Sequence, residues 1–71
     1  MQATVDGKKV SVGDWVGFKS DIEQSGRITA IKRSPWGNGY ELTLRNDNGF
    51  DGGYIGGDTI TTESADRCWV E

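Results

Sequence analysis

The sequence contains no histidine and only one cysteine, Cys68. Histidine is the most common general base and transition-metal ligand, and a cysteine without histidine forms neither a zinc site nor a Cys–His nucleophile pair. A single cysteine also cannot form an internal disulfide, which agrees with a reducing compartment. These absences predict a cytoplasmic protein that is not an enzyme and has no metal and no cofactor, with Cys68 filling a gap in the core.

Proline and long apolar runs are also scarce. The chain of 71 residues has one proline against eleven glycines, no helical stripe longer than about two turns and no apolar run of about 18 residues. Glycine weakens helices and permits turns. The composition therefore predicts one soluble all-β domain over residues 1–71, with no membrane partner.

Charge divides unevenly along the chain. Residues 1–45 carry seven basic and five acidic side chains, a balance of +2, whereas residues 46–71 carry one basic and six acidic side chains, a balance of −5. Binding to phosphates without sequence preference relies on neutralisation by lysine and arginine. A small domain with a net charge of −3 is therefore a poor candidate for such binding, unless folding segregates the two signs onto different faces.

Alternation of apolar and polar residues divides the chain into short strands. Asp6-Gly7 is a strong hairpin dipeptide, and Asn46 to Gly49 has the residue types of a tight turn. Ile28 and Ile31 cannot share one face of a regular strand, so we expect a bulge or sharp bend between them. The predicted strands are 3–5, 9–12, 15–19, 27–33, 40–45, a glycine-broken strand containing Phe50 and Tyr54-Ile55, a short strand 59–61, and a closing strand 68–70, which we expect beside the first strand.

Two segments carry a family resemblance. The pattern Val12-Gly13-Asp14-x-Val16, followed by Gly26-x-Ile28-x-x-Ile31, resembles SH3-like small barrels of the KOW and Tudor type over about residues 10–45. This resemblance implies a single SH3-like barrel of about five strongly bent antiparallel strands. It also implies that residues 20–25 form a long first loop, residues 34–39 a second loop and residues 46–49 the distal turn.

A second resemblance concerns the origin of the chain. The string Val16-Gly17-Phe18-Lys19-Ser20-Asp21-x-Glu23-Gln24-x-Gly26, together with Asp66-Arg67-Cys68-Trp69, is similar to small proteins of tailed bacteriophages. It implies a phage accessory protein expressed in a bacterial cytoplasm and implies no activity.

The apolar positions of the strands predict the core. Phe18, Tyr40 and Phe50 fit an inward-facing side, and each buried apolar side chain contributes roughly 1.5–3 kcal/mol. The side chains that we expect to be mostly buried are Val10, Val12, Val16, Phe18, Ile28, Ile31, Leu42, Leu44 and Val70.

The run from Asn46 to Asp58 contains carboxylates and glycines. Asp47, Asp51 and Asp58 fall at positions 1, 5 and 12 of a calcium-type loop. However, position 3 is Gly49, position 12 is not the bidentate glutamate, and no flanking helices are predicted. The run therefore favours a hairpin turn followed by an acidic loop.

Exposed aromatic residues are the best indication of a binding site. Trp15 is out of phase with its apolar neighbours, and Trp36 lies in a Pro-Trp-Gly-Asn-Gly loop where packing does not require a tryptophan. SH3-like barrels bind ligands through aromatics placed around their loops. We therefore predict a protein-binding site of Trp15, Arg33, Trp36 and Tyr54. In the alternative interpretation, the outward tryptophans only cap the ends of a barrel.

Three functions are compatible with these residues. The first is a protein-interaction module that uses aromatic anchors. The second is a KOW-like nucleic-acid-binding module that uses Arg27, Lys32, Arg33 and Arg45 for phosphates, with Trp36 and Tyr40 for stacking. The third is an acidic inhibitor that presents carboxylates to a host nucleic-acid-binding protein. A contiguous basic face would favour the second, and a ladder of carboxylates the third.

Overall fold

The strands form one open sheet and one hairpin. The computed structural model describes residues 1–35, 37 and 39–71. A five-stranded antiparallel sheet has the order β6-β5-β4-β3-β7, and β1 pairs with β2 in a separate two-stranded sheet. The elements are β1 (Gln2–Val5), β2 (Lys8–Ser11), β3 (Trp15–Ser20), β4 (Ile22–Arg33), β5 (Tyr40–Arg45), β6 (Ile60–Ser64), a 3-10 turn (Ala65–Arg67) and β7 (Cys68–Val70).

The all-β class is confirmed, but the five-stranded sheet does not close into a barrel. Hydrogen-bonded pairing between the described strands ends at β6 on one side and at β7 on the other. The β1–β2 hairpin instead contributes the buried side chains of Ala3, Val5 and Val10 to the core. The hairpin thus covers the core by side-chain packing. The two edges of the large sheet do not have to pair with each other to bury it.

The first hairpin turns at the predicted dipeptide. Asp6 and Gly7 have φ angles of 52° and 76°, and Val5 pairs with Lys8 on either side of them. Positive φ at both central residues is the geometry of a type I′ turn, whose twist matches that of the strands.

The long first loop predicted over residues 20–25 is wrong. β3 and β4 pair without interruption from Trp15↔Arg27 to Ser20↔Ile22. The connection is therefore Asp21, which has a φ of 65°. Aspartate tolerates this left-handed conformation better than most residues. The segment is polar because it forms the exposed end of a hairpin. Its polar composition alone does not distinguish such a hairpin end from a loop.

The predicted irregularity in β4 is confirmed. Ile28 pairs with Leu44 and Ile31 pairs with Leu42, with a shift of register between Ile28 and Ala30. Thr29 is the extra residue, and its hydroxyl donates to the Thr43 carbonyl oxygen at 3.4 Å. One additional residue restores the phase of the alternation, so that both isoleucines face the same side of the sheet.

The core lies on that side of the sheet. Phe18 and Phe50 meet edge to face, with ring centroids 5.5 Å apart. Ile31, Tyr40, Ile55 and Val70 are partly buried against the core, so Ile31 and Val70 are less buried than predicted. The buried residues are Ala3, Val5, Val10, Val16, Phe18, Ile28, Leu42, Leu44, Phe50, Ala65 and Cys68.

Val12 was predicted to be buried, and this prediction is wrong because 57% of its surface is exposed. β2 ends at Ser11, whose amide donates to the Asp14 carboxylate at 2.9 Å. The Asp14 amide in turn donates to the Ser11 carbonyl oxygen. This turn interrupts the strand before Val12, so the alternation that would direct its side chain inward does not continue.

The second half of the chain also differs from the prediction. The tight turn at residues 46–49 is confirmed, since the Gly49 amide donates to the Asn46 carbonyl oxygen at 2.9 Å. Residues 51–57, however, form a loop of successive turns and no strand. The closing strand β7 pairs with β3, in the register Val16↔Val70 to Phe18↔Cys68, and not with the first strand.

In the described part of the chain, no helix is long and apolar enough to cross a membrane.

Candidate binding surface

Four residues form a continuous row on the outer face of the sheet. Trp15 pairs with Arg27, Arg27 pairs with Arg45, and Arg45 pairs with Ile60. Residues directly opposite each other in neighbouring strands point to the same face. Trp15, Arg27, Arg45 and Ile60 therefore lie side by side across β3, β4, β5 and β6, and we call this set the cross-strand row.

The row faces solvent because its sequence neighbours face the core. Val16, Ile28 and Leu44 are 0%, 1% and 0% exposed, and alternation along a strand sends the adjacent side chains outward. Accordingly, Trp15 is 46% and Ile60 54% exposed. Two large apolar side chains thus remain accessible at the two ends of the row, with both arginines between them.

The two arginines break the charge pairing of this face. Lys19 lies opposite Glu23, and Lys32 lies opposite Glu41, so each lysine has an acidic residue across the strand, although within the described residues neither couple forms an ion pair. Arg27 instead faces Arg45. Like charges directly opposite each other destabilise a sheet.

The guanidinium groups are only partly occupied. Arg45 Nε donates to Asp47 Oδ1 at 2.7 Å, with side-chain exposures of 49% and 74%. This bond uses one of the five N–H donors of Arg45. Within the described residues, the Arg27 side chain has no hydrogen-bond or ion-pair partner. The centre of the row therefore presents guanidinium donors to solvent.

Trp69 covers the outer face next to the row. It pairs with Gly17, and a Cβ atom at Gly17 would overlap with the indole of Trp69. Trp69 is half-buried, so this tryptophan packs on the outer face of the sheet. Trp15, two residues before Gly17 on the same face, lies at the border of the covered area and is the more exposed of the two.

The three described residues of the predicted protein-binding site lie in different parts of the sheet and its loops. Trp15 belongs to the cross-strand row, whereas Arg33 ends β4, opposite Tyr40. Tyr54 lies in the loop that packs against the start of β4, at the other end of that strand. Trp36 lies outside the described residues.

The predicted nucleic-acid face is divided between two sides of the sheet. Arg27, Arg45 and Lys32 alternate with core residues and point outward. Arg33 and Tyr40 are paired on the opposite side, in phase with Ile31. The contiguous basic area is consequently smaller than the sequence predicted, and Lys32 at its edge faces Glu41.

Hydrogen bonds hold the loop over residues 51–57 against the β3–β4 hairpin. The side-chain amide of Gln24 binds the backbone of Asp51 twice, accepting from its amide at 2.9 Å and donating to its carbonyl oxygen at 3.0 Å. The Asp21 carboxylate accepts from the amide of Gly53. Tyr54, in the middle of this loop, is 100% exposed.

Cys68 lies in the core, where two carboxylates act on its thiol. Burial, and secondarily the carboxylates of Glu63 and Asp66, raises the pKa of the Cys68 thiol to about 11. The thiol donates to the Ser64 carbonyl oxygen at 3.4 Å, and its burial confirms the predicted core position. Asp47 is engaged by Arg45, and among the described residues no three acidic or cysteine side chains are placed so that they could hold a metal ion.

Ile60 is the residue that sequence reasoning missed. The segment 59–61 was predicted as a short strand, but its outward apolar residue was not connected with Trp15 or the arginines. Only the pairing of β5 with β6 places it at the end of the row.

Comparison of the chain with protein-family models, curated proteins and solved structures gives no match.

Proposed function

We propose that this chain is a small non-enzymatic binding module of the SH3-like type, a phage-type accessory protein that engages a protein partner. The observation that carries the proposal is the cross-strand row, in which exposed Trp15 and Ile60 flank two opposed arginines. Tryptophan and arginine are the residue types most enriched among the side chains that dominate binding energy at protein interfaces.

The composition of the row favours a protein over a nucleic acid. Tracking a phosphate backbone requires several cations without neutralising neighbours. On the outer face, both lysines lie opposite glutamates, and Arg45 is already bound to Asp47. Two guanidinium groups between two apolar side chains match a mixed apolar and acidic protein surface better than a run of phosphates.

A nucleic-acid-binding function is the second candidate. It is supported by Arg27 lying directly opposite Arg45, next to the exposed ring of Trp15. This combination of cations and an aromatic surface is typical of single-strand binding sites. The acidic-inhibitor function has less support, because the outer-face carboxylates Glu23 and Glu41 face lysines and form no ladder.

Affinity capture from a bacterial lysate tests the proposal. Tagged wild-type protein, Trp15→Ala and a matched control, Ile22→Ala, are used as baits in lysate with and without nuclease treatment. Ile22 is an apolar residue of similar exposure, 48%, at the end of the β3–β4 hairpin and away from the row. We expect a protein to be retained by the wild type and by Ile22→Ala, and lost with Trp15→Ala.

Two other outcomes would contradict the proposal. Capture that disappears after nuclease treatment would favour the nucleic-acid function. Capture that Trp15→Ala retains at the wild-type level would remove the cross-strand row from the binding site.

A further inference from the structure

We infer that the cross-strand row recognises an extended acidic peptide segment in which one carboxylate is flanked, two residues away on each side, by apolar side chains. This inference rests on the proposed protein-binding function and names the chemistry of its partner. It follows from the order of the residues in the row: apolar Trp15, cationic Arg27 and Arg45, then apolar Ile60.

Charge complementarity defines the centre of the ligand. Arg27 has no partner within the described residues, and the Arg45 bond to Asp47 uses only Nε. A carboxylate between them would accept hydrogen bonds from both guanidinium groups and relieve their mutual repulsion. The opposed arginines thus form a site for a single anionic group, and an acidic side chain supplies that group.

The spacing of the row defines the flanking residues. Neighbouring strands lie roughly 4.8 Å apart, so the distance from Trp15 on β3 to Ile60 on β6 is about 14 Å, with its midpoint between the arginines at about 7 Å. In an extended peptide, alternate side chains on one face recur at roughly 6.8 Å. A peptide with the pattern apolar–x–acidic–x–apolar therefore places its three side chains over Trp15, over the arginine pair and over Ile60.

The direct test uses a fluorescein-labelled, capped peptide Gly-Ser-Leu-Thr-Glu-Thr-Leu-Ser-Gly and fluorescence anisotropy. One comparison peptide replaces glutamate with glutamine, and another has the same composition with glutamate moved next to the first leucine. We expect both changes to weaken binding about tenfold or more, since a hydrogen bond to a charged group contributes that much. Equal binding of all three peptides would overturn the inference.

Protein variants locate the binding site. Arg27→Gln and Arg45→Gln should each weaken binding of the glutamate peptide about tenfold or more. Lys32→Gln, a cation on the same face but opposite Glu41, is the matched control and should stay within about twofold of the wild type. Binding that is insensitive to Arg27→Gln would overturn the inference, because the central carboxylate would then have another partner.

A labelled oligothymidylate distinguishes the other class of ligand. If it binds more tightly than the peptide and loses binding in Arg27→Gln, the row is a nucleic-acid site and the inference is wrong. Failure of the peptide alone, while lysate capture still depends on Trp15, would overturn the peptide pattern and leave the protein-binding function standing. Loss of the dependence on Trp15 would overturn both.

Discussion

The two faces of the central strands β4 and β5 follow different rules. On the inner face, Ile28 pairs with Leu44, and both are buried, with 1% and 0% of their surface exposed. On the outer face, one residue earlier and one later along the chain, Arg27 pairs with Arg45. The inner pair is the arrangement that folding favours, whereas the outer pair repels.

This difference separates the residues that form the fold from those available for binding. Natural sequences agree with local physical rules at most positions, and departures from them concentrate at functional sites. The outer face obeys charge pairing at Lys19 and Lys32, each opposite a glutamate, and departs from it at the arginines. The two opposed arginines lie between Trp15 and Ile60, the exposed apolar residues at the ends of the row. The unusual charge pairing and the unusual apolar exposure therefore occur in the same four residues.

The largest effect is expected on the inner face. Phe18→Ala should lower the free energy of unfolding by about 3–5 kcal/mol, because it leaves a cavity beside Phe50. That is a large part of the roughly 4–11 kcal/mol expected for 71 residues. Urea unfolding followed by circular dichroism measures it. Tyr54→Ala, at a fully exposed aromatic residue, should change stability by less than about 0.5 kcal/mol. Similar losses for both variants would contradict the assignment of the core.

The next effect concerns the covered part of the outer face. Gly17→Ala should cost about 1–3 kcal/mol, because the new Cβ displaces the indole of Trp69. Gly37→Ala is the matched control, since a Cβ there meets no described residue within 4 Å. The cost should shrink when Trp69→Ala is combined with Gly17→Ala, which a double-mutant cycle measures. Additive effects would show that Trp69 does not pack on Gly17.

A smaller loss of stability is expected when the contact between β4 and the loop over residues 51–57 is removed. Gln24→Ala removes both hydrogen bonds to the backbone of Asp51, so we expect a loss of about 1–2 kcal/mol. Hydrogen exchange at the Asp51 amide should also become faster. Glu23→Ala, one residue earlier on the outer face, should cost less than about 1 kcal/mol. An unchanged Asp51 exchange rate in Gln24→Ala would contradict the role of Gln24 in holding the loop.

The smallest expected change in stability is an increase, and it tests directly whether the outer arginine pair repels. Arg27→Gln should raise the free energy of unfolding by about 0.2–1 kcal/mol, since it removes the repulsion from Arg45. Lys32→Gln, which removes an attraction to Glu41, should lower stability slightly or leave it unchanged. Thermal melts at low ionic strength maximise the contrast. Destabilisation by Arg27→Gln would show that Arg27 serves the fold.

Local patterns correctly predicted the parts of the fold that depend on neighbouring residues. Asp6-Gly7 predicted the first turn because few residue pairs accept positive φ twice. The spacing of Ile28 and Ile31 predicted the bulge, because the period of a strand admits no other way to bury both. The prediction that Val12 is buried was wrong because the hydrogen bonds of Asp14 end β2 one residue earlier than the apolar pattern suggests.

The candidate site was less predictable than the fold. Trp15, Arg27 and Arg45 were each identified from sequence, but in two different predicted sites. Arg33 and Tyr54 were combined with Trp15, although they lie at opposite ends of β4. A strand pattern gives the face of each side chain and not its neighbours on the next strand, so it could not group these residues.

The sequence by itself determined the all-β class, the turns and most of the inner face, because these follow from φ preferences and from the alternation of side chains along each strand. Only the tertiary structure decided the strand order, the open sheet covered by the first hairpin, and the contact of Trp69 with Gly17. It also decided the cross-strand row, which joins residues between 15 and 60 through three registers. Register depends on packing between distant segments, and no local pattern specifies it.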